Sequence, residues 1–239
     1  MNQLNLKQRI HKGDTIVGMQ VPISSEPDHV KGILDKQTYD FIHVDGQHSP
    51  FDEKELFTFC EALDELGIPI LLRIEHTRNA FLAGNYLDLG PSGIEVPQVE
   101  LKSTVDEAIA GMYYLPIGNR SWGEPRKGSD VPTDRIEYAH WWSEFGVLIL
   151  QLESVDAVTN ASQLAKKGVD CLSFGPNDLD FSLDMHPHYP FKSVDECVRH
   201  VVEQLADCSV AVCYRTSPNN RQKYADLGVT IFIEEPSNS

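Results

Sequence analysis

A parallel sheet closed into a (β/α)8 TIM barrel is the fold that this 239-residue sequence predicts, on three observations. Eight short and nearly continuous apolar runs recur along the chain, as strands buried on both faces require. Segments of helical periodicity separate those runs, giving the strand–helix alternation of a parallel sheet. Several of the helical segments stop at a glycine just before the next run. No GxGxxG follows the first run, which argues against a doubly wound open sheet. Barrels of this length are routinely one domain, so residues 1–239 are read as a single unit.

Taken in order, the strand runs are 15–21, 39–44, 69–74, 93–96, 147–152, 170–174, 210–214 and 229–233. The helical patterns are 28–35, 51–66, 80–89, 104–112, 136–145, 155–167, 193–206 and 219–227. Gly67, Gly90, Gly146, Gly168 and Gly228 follow helices and are expected to close them in the left-handed conformation. The eighth run, VTIFIE, passes almost straight into the C-terminus, so the barrel is expected to lack a clear C-terminal eighth helix. Either the leading segment 4–10 or a partner chain would then cover that part of the barrel, and a homo-oligomer is expected.

Composition narrows the function. Apolar residues at 41% and charged residues at 23% suffice for a full core. Twenty basic against 36 acidic residues give a formal net charge of −16, a field that repels nucleic-acid backbones and anionic membranes. An anionic substrate would therefore need a local basic group or a metal ion. No apolar run approaches about 18 residues, and the polar start MNQLNLKQRIHKGD has no signal-peptide core. The five cysteines are odd in number, form no CxxC, and read as reduced thiols of a cytoplasmic protein.

The chemistry gathers around residues 146–178. GVLILQLES and VDCLSFGPNDL flank the helical pattern 155–167, a right-handed βαβ crossover with parallel strands. Glu153 and Asp178 thus fall at the same carboxyl edge of the sheet, a candidate divalent-cation site, although acids after strands also serve as helix N-caps. In a TIM barrel that edge carries the active site. It also receives Asp45, Gly46, Gln47 and His48 after the second run, Arg73 after the third and Arg215 after the seventh. Asp88 comes just before the fourth run. The set suits an α-keto acid: a cation to chelate the ketone and carboxylate, an arginine to pair with the carboxylate, and a histidine to move protons. His43 shares a strand face with Asp45 and reads as a packed side chain. His186 and His188, in MHPHYP, read as a proline-punctuated surface loop rather than a metal clip. Arg215 either pairs with a barrel acid or binds a second carboxylate on the electrophile.

DGQHSP, LLRI, LDLGPSGIEVPQV, LPIGNR, QLES and GPNDLDFS occur in that order, and on these motifs the chain resembles the HpcH/HpaI aldolase/citrate lyase family from about Gly13 to Val229. More narrowly it is similar to the class II, metal-dependent pyruvate aldolases of 2-keto-3-deoxy acids. The resemblance implies that Glu153 and Asp178 hold Mg²⁺, Mn²⁺ or Co²⁺. It implies that Arg73 stabilises the ketone and enolate oxygen of pyruvate, and that His48, oriented by Asp88, is the general acid/base. Gln151 and the backbone near Pro176 and Asn177 would bind the carboxylate. The implied reaction is reversible cleavage of a 4-hydroxy-2-oxo acid to pyruvate and an aldehyde. The alternatives are oxaloacetate decarboxylation or biosynthetic carbon–carbon bond formation at the same site, or a barrel that binds a keto acid without turnover.

Three departures from the family pattern stand out: Gln47 where a glutamate is usual, Arg120-Ser121-Trp122-Gly123 in place of an arginine–glycine pair, and no final helix after Glu234. None of the eleven lysines falls in a strand run or at its carboxyl end, which argues against a Schiff-base aldolase.

Overall fold

A computed structural model describes residues 4–123, 126 and 131–236; Lys127, among the lysines considered above, lies outside the described residues. Eight parallel strands close into a barrel in sequence order: β1 (Ile16–Val21), β2 (Phe41–Asp45), β3 (Ile70–Arg73), β4 (Gly93–Val96), β5 (Val147–Leu152), β6 (Cys171–Phe174), β7 (Ala211–Arg215) and β8 (Ile231–Glu234). Each overlaps its expected run, and β4 and β5 match to the residue. The ring closes where Ile16 and Gly18 of β1 lie opposite Ile231 and Ile233 of β8.

The registers sort the inward residues into layers. At the amino ends of the strands, Ile16, Phe41, Leu71, Val147, Cys171 and Ile231 form an apolar floor. Higher up the interior turns polar: Glu95 stands opposite Arg73 across β3–β4, and Gln151 opposite Ser173 across β5–β6. Outward residues such as Val44, Leu72, Leu150 and Phe174 pack beneath the helices. One end of the barrel is thus closed by apolar contacts and the other holds the polar groups.

Eleven helices are described: α1 (Leu6–Lys12), α2 (Pro27–Leu34), α3 (Glu53–Leu63), α4 (Ala83–Asp88), α5 (Lys102–Met112), α6 (Arg135–Phe145), α7 (Val155–Thr159), α8 (Ala161–Leu164), α9 (Pro176–Met185), α10 (Val194–Gln204) and α11 (Arg221–Ala225). The expected helix 155–167 is instead two short pieces. Thr159 Oγ1 bonds back to the Val155 carbonyl at 2.7 Å, and Asn160 leaves the helical conformation at φ −96° and ψ 5°, which breaks the segment. Helix α9 was absent from the sequence pattern altogether. Pro176 opens it and Asp178 lies in its first turn.

Two further expectations are corrected. Gly67, Gly90, Gly168 and Gly228 take positive φ as expected, but Gly146 has φ −69°. A Cβ at Gly146 would lie 2.7 Å from Met112 and 2.8 Å from Trp142, so close packing rather than chirality requires glycine there. The leading segment does not cover the eighth strand. Its helix α1 sends Leu6 and Ile10 into the apolar floor and plugs the amino-end mouth of the barrel. Asp170, 1% exposed, anchors the plug by accepting from the Leu148 N–H at 2.8 Å and meeting His11 at 2.7 Å and Lys7 at 3.2 Å. Phe232 on the outer face of β8 is fully buried although no helix follows that strand among the described residues.

Candidate metal and keto-acid site

The carboxyl ends of the strands surround a cavity of about 520 Å³. Its lining includes His48, Arg73, Gln151, Glu153, Pro176, Asn177 and Asp178, seven of the eight site residues expected from the sequence. Asp88 is the exception. It lies in a separate cavity of about 490 Å³, where it pairs with Arg120 at 2.5 Å. Arg120 is held there by the faces of Tyr114 and Trp142, 4.9 and 4.7 Å from the ring centres. The described residues therefore bring Asp88 to Arg120 and not to His48. Gly123 of the same loop also packs on the Asp88 carboxylate.

Asp45, not singled out by itself in the sequence, is the hub of this end of the barrel. Its carboxylate accepts from Arg73 Nε at 2.8 Å and from a second nitrogen of the same guanidinium. It also accepts the backbone N–H of Gln47 at 2.9 Å and of His48 at 3.4 Å. Burial pushes the Asp45 carboxyl up, but the Arg73 guanidinium holds it below the ordinary value. One carboxylate thus fixes both the arginine and the loop that carries the histidine. Arg73 then donates through its remaining terminal nitrogen to Gln151 Oε1 at 3.2 Å. With its oxygen engaged, the Gln151 amide has its –NH₂ end toward Gly175, whose built Cβ would lie 2.8 Å from that nitrogen. Gln47, the family departure, keeps a buried side-chain oxygen without a partner.

Glu153 is 6% exposed and its Oε2 has no hydrogen-bond partner. Burial, and then repulsion from Asp178, push its carboxyl up to about 7 against the pull of Arg73. Gly175 makes room for it, since a Cβ there would come within 2.3 Å of Glu153 Oε1. A buried, unsatisfied carboxylate beside a second carboxylate is what a divalent cation would relieve, and an all-oxygen donor pair suits Mg²⁺ or Mn²⁺. Among the described residues no three His, Cys, Asp or Glu side chains converge as a metal cluster. Glu153 and Asp178 would supply two ligands to such a cation, with its other positions open to substrate oxygens. The expected residues fit the group.

Below the cavity lies a polar layer that the sequence reading did not assemble. Glu95, fully buried on β4, accepts from both terminal nitrogens of Arg215 at 3.1 and 2.6 Å. His43 Nε2 reaches the same carboxylate at 2.7 Å, and Arg215 also donates to Ser173 Oγ at 3.1 Å. Burial pushes Glu95 up, but Arg215 and His43 hold it well below the carboxylate range; burial drives His43 below its usual value. His43 is therefore packed, as its strand parity indicated. Arg215 pairs with a barrel acid, one of the two options left open. The available signal was a single carboxylate at an inward position of an otherwise apolar strand, in GIEV. His186 and His188 are exposed, as a surface loop requires, and among the described residues no lysine lines the cavity.

Fold and cavity together define a TIM-barrel enzyme with an acidic cation-type pair facing an anchored arginine at the carboxyl ends of its strands. The chain belongs to the HpcH/HpaI aldolase/citrate lyase family, whose profile matches residues 22–230. It is 27% identical over 201 residues to a 2-keto-3-deoxy-L-rhamnonate aldolase of Klebsiella pneumoniae, covering 83% of this chain and 72% of that one. The crystal structure of an HpcH/HpaI aldolase from Desulfitobacterium hafniense superposes with a TM-score of 0.85 at 23% identity, over 98% of this chain and 90% of the other. The citrate synthase SbnG superposes with a TM-score of 0.81 at 24% identity, over 98% and 91%. Membership makes the chain a carbon–carbon lyase and implies a divalent metal. No described helix is long and apolar enough to cross a membrane.

Proposed function

We propose that this chain is a divalent-metal pyruvate aldolase that cleaves or forms a 4-hydroxy-2-oxo acid of the 2-keto-3-deoxy sugar-acid class. The observation that carries this reading is the buried, unpartnered Glu153 beside Asp178, on the same cavity as the Arg73–Gln151 pair. Glu153 and Asp178 would hold Mg²⁺, Mn²⁺ or Co²⁺, which when bound supplies Lewis-acid polarisation of the keto group. Arg73, oriented by Asp45, stabilises the oxygen that becomes negative in the enolate. The Gln151 –NH₂ group donates to the pyruvate carboxylate. Behind it the first turn of α9, which begins at Pro176, leaves the Asn177 and Asp178 N–H groups without helical partners, as an anion-binding terminus requires. His48, on the loop tied to Asp45, moves the proton of the 4-hydroxyl. The same constellation is expected in a homo-oligomeric, cytoplasmic protein.

The test is proton–deuterium exchange at the methyl group of pyruvate, followed by NMR. Exchange is expected with Mn²⁺ or Mg²⁺, to disappear with EDTA, and to fall at least roughly 100-fold in Glu153→Gln. Metal-loaded protein that gives no exchange above background would overturn the reading.

A further inference from the structure

Among the described residues, Gln98 is the one non-glycine with a left-handed backbone, at φ 51°. A side chain in that conformation crowds its own backbone, and glycine or asparagine is the usual occupant. Packing does not compensate, because Gln98 is exposed while its neighbours Pro97 and Val99 are buried. What the turn secures lies in the contacts of the chain on either side of it.

The β4–β5 ladder ends at the pair Val96–Leu150. Pro97 comes next and has no N–H to continue the ladder. Its carbonyl accepts from Thr77 Oγ1 at 2.8 Å. Gln98 then turns the chain back, and the Val99 N–H donates to the Gln151 carbonyl at 2.9 Å. One residue further, Glu100 Oε1 accepts from Ser154 Oγ at 2.5 Å. The arch 97–100 thus grips the segment 151–154 at its first and last residues. The tie to Gln151 is buried; the tie to Ser154 lies at the rim. Within that segment stand Gln151, whose side-chain oxygen receives Arg73 at 3.2 Å, and Glu153. Toward β6, Gln151 is held in register with Ser173. Toward β4, beyond Leu150, it is held by the arch. A turn that only closed a loop would bond within itself. This one ends on a residue of the cavity.

We infer that Gln98 is a positioning residue for the proposed reaction: its left-handed turn fixes the Gln151 backbone and so aims the Gln151 amide at Arg73 and at the pyruvate carboxylate. This rests on the pyruvate-enolate reading and extends it to a residue that does not line the cavity. No proton or electron moves at Gln98; it acts through Gln151.

The experiment measures methyl exchange against pyruvate concentration on Mn²⁺-loaded protein, and the pyruvate Kd by calorimetry, for wild type, Gln98→Val and Gln98→Asn. Asparagine enters the left-handed region readily and a β-branched valine does not. Gln98→Val is expected to raise KM and Kd roughly tenfold, the scale of one hydrogen bond to a charged group. Its kcat is expected to change less than about threefold, because Gln151 binds the carboxylate alike in keto acid and enolate. Gln98→Asn is expected to keep KM and Kd within about twofold of wild type. In a Gln151→Ala background, Gln98→Val is expected to add less than about twofold, since its route of action is already gone. Thr77→Val removes the tie to Pro97 and keeps the side-chain shape; it is expected to raise KM a few-fold, which keeps the test decisive if Gln98→Val does not fold. A purely structural turn would lower Tm in these variants and leave KM and Kd alone. Wild-type KM and Kd in folded Gln98→Val, or in Thr77→Val where that variant is unfolded, overturn the inference, as does full additivity with Gln151→Ala. Absence of exchange in the wild-type protein would instead overturn the enolate reading beneath it.

Discussion

Among single residues, Glu153 is the acid of the candidate cation pair whose ionisation departs from ordinary solution chemistry. Its carboxyl sits at about 7, above the free value of 4.5, because burial and Asp178 both disfavour the charge. The folded, metal-free protein keeps a proton that the unfolded chain releases. The resulting contribution to stability is fully present below about pH 4.5 and is lost as pH rises through about 7. A cation needs the ionised form, so the pH dependence of binding runs the other way. Mn²⁺ affinity is expected to rise roughly tenfold per pH unit up to about 7 and then level off. Mn²⁺ titration by EPR from about pH 5.5 to 8.5 measures this, and an affinity flat below pH 7 would remove Glu153 from the ligand set. The acidic pair and Arg73 were legible in the sequence because QLES and GPNDL end adjacent runs of a parallel sheet. The Glu95–Arg215 pair was not: its members are 120 residues apart, and only closure of the barrel brings β4 and β7 to one interior.

At the scale of elements, the strands were readable because parallel strands buried on both faces carry unbroken apolar runs. Helix α9 was not, since GPNDL reads as a break until Pro176 is recognised as a first helical residue. That helix is what carries Asp178 toward Glu153. Gly175 sets the spacing between the two, and its substitution tests it. In Gly175→Ala the new Cβ would stand 2.3 Å from Glu153 Oε1, so the carboxylate must shift. Mn²⁺ affinity is expected to fall roughly 10–100-fold, with far-UV circular dichroism unchanged. Unchanged affinity would mean that the pair tolerates a wider geometry than the close approach implies. The expected single helix at 155–167 failed for a local reason, the bond of the Thr159 hydroxyl back to the Val155 carbonyl and the departure of the Asn160 backbone from helical dihedrals.

For the whole molecule, stability and chemistry lie at opposite ends of the barrel, as the fold class leads one to expect. The amino-end plug depends on Asp170, whose loss would strand the Leu148 N–H and take the counter-charge from the buried Lys7 ammonium, which keeps its hydrogen bonds to Tyr113 and Gly146. Asp170→Ala is expected to cost about 3 kcal/mol and lower Tm by roughly 6–12 °C, with pyruvate exchange at 25 °C within about twofold of wild type. Calorimetry and the NMR assay together check it; loss of exchange in a folded variant would show that the two ends are coupled.

Periodicity and local order were readable from the chain alone: eight alternations and the carboxyl-edge position of Glu153, Asp178, Arg73 and His48. Those depend on residues near one another in the chain. Which distant charges meet emerged with the closed barrel. It joined Asp45 to Arg73, Glu95 to Arg215 and Asp88 to Arg120, and it turned the leading segment into a plug. The reason is physical. A buried charge is tolerable only when paired, and the pairing is settled by which side chains the closed barrel presses together.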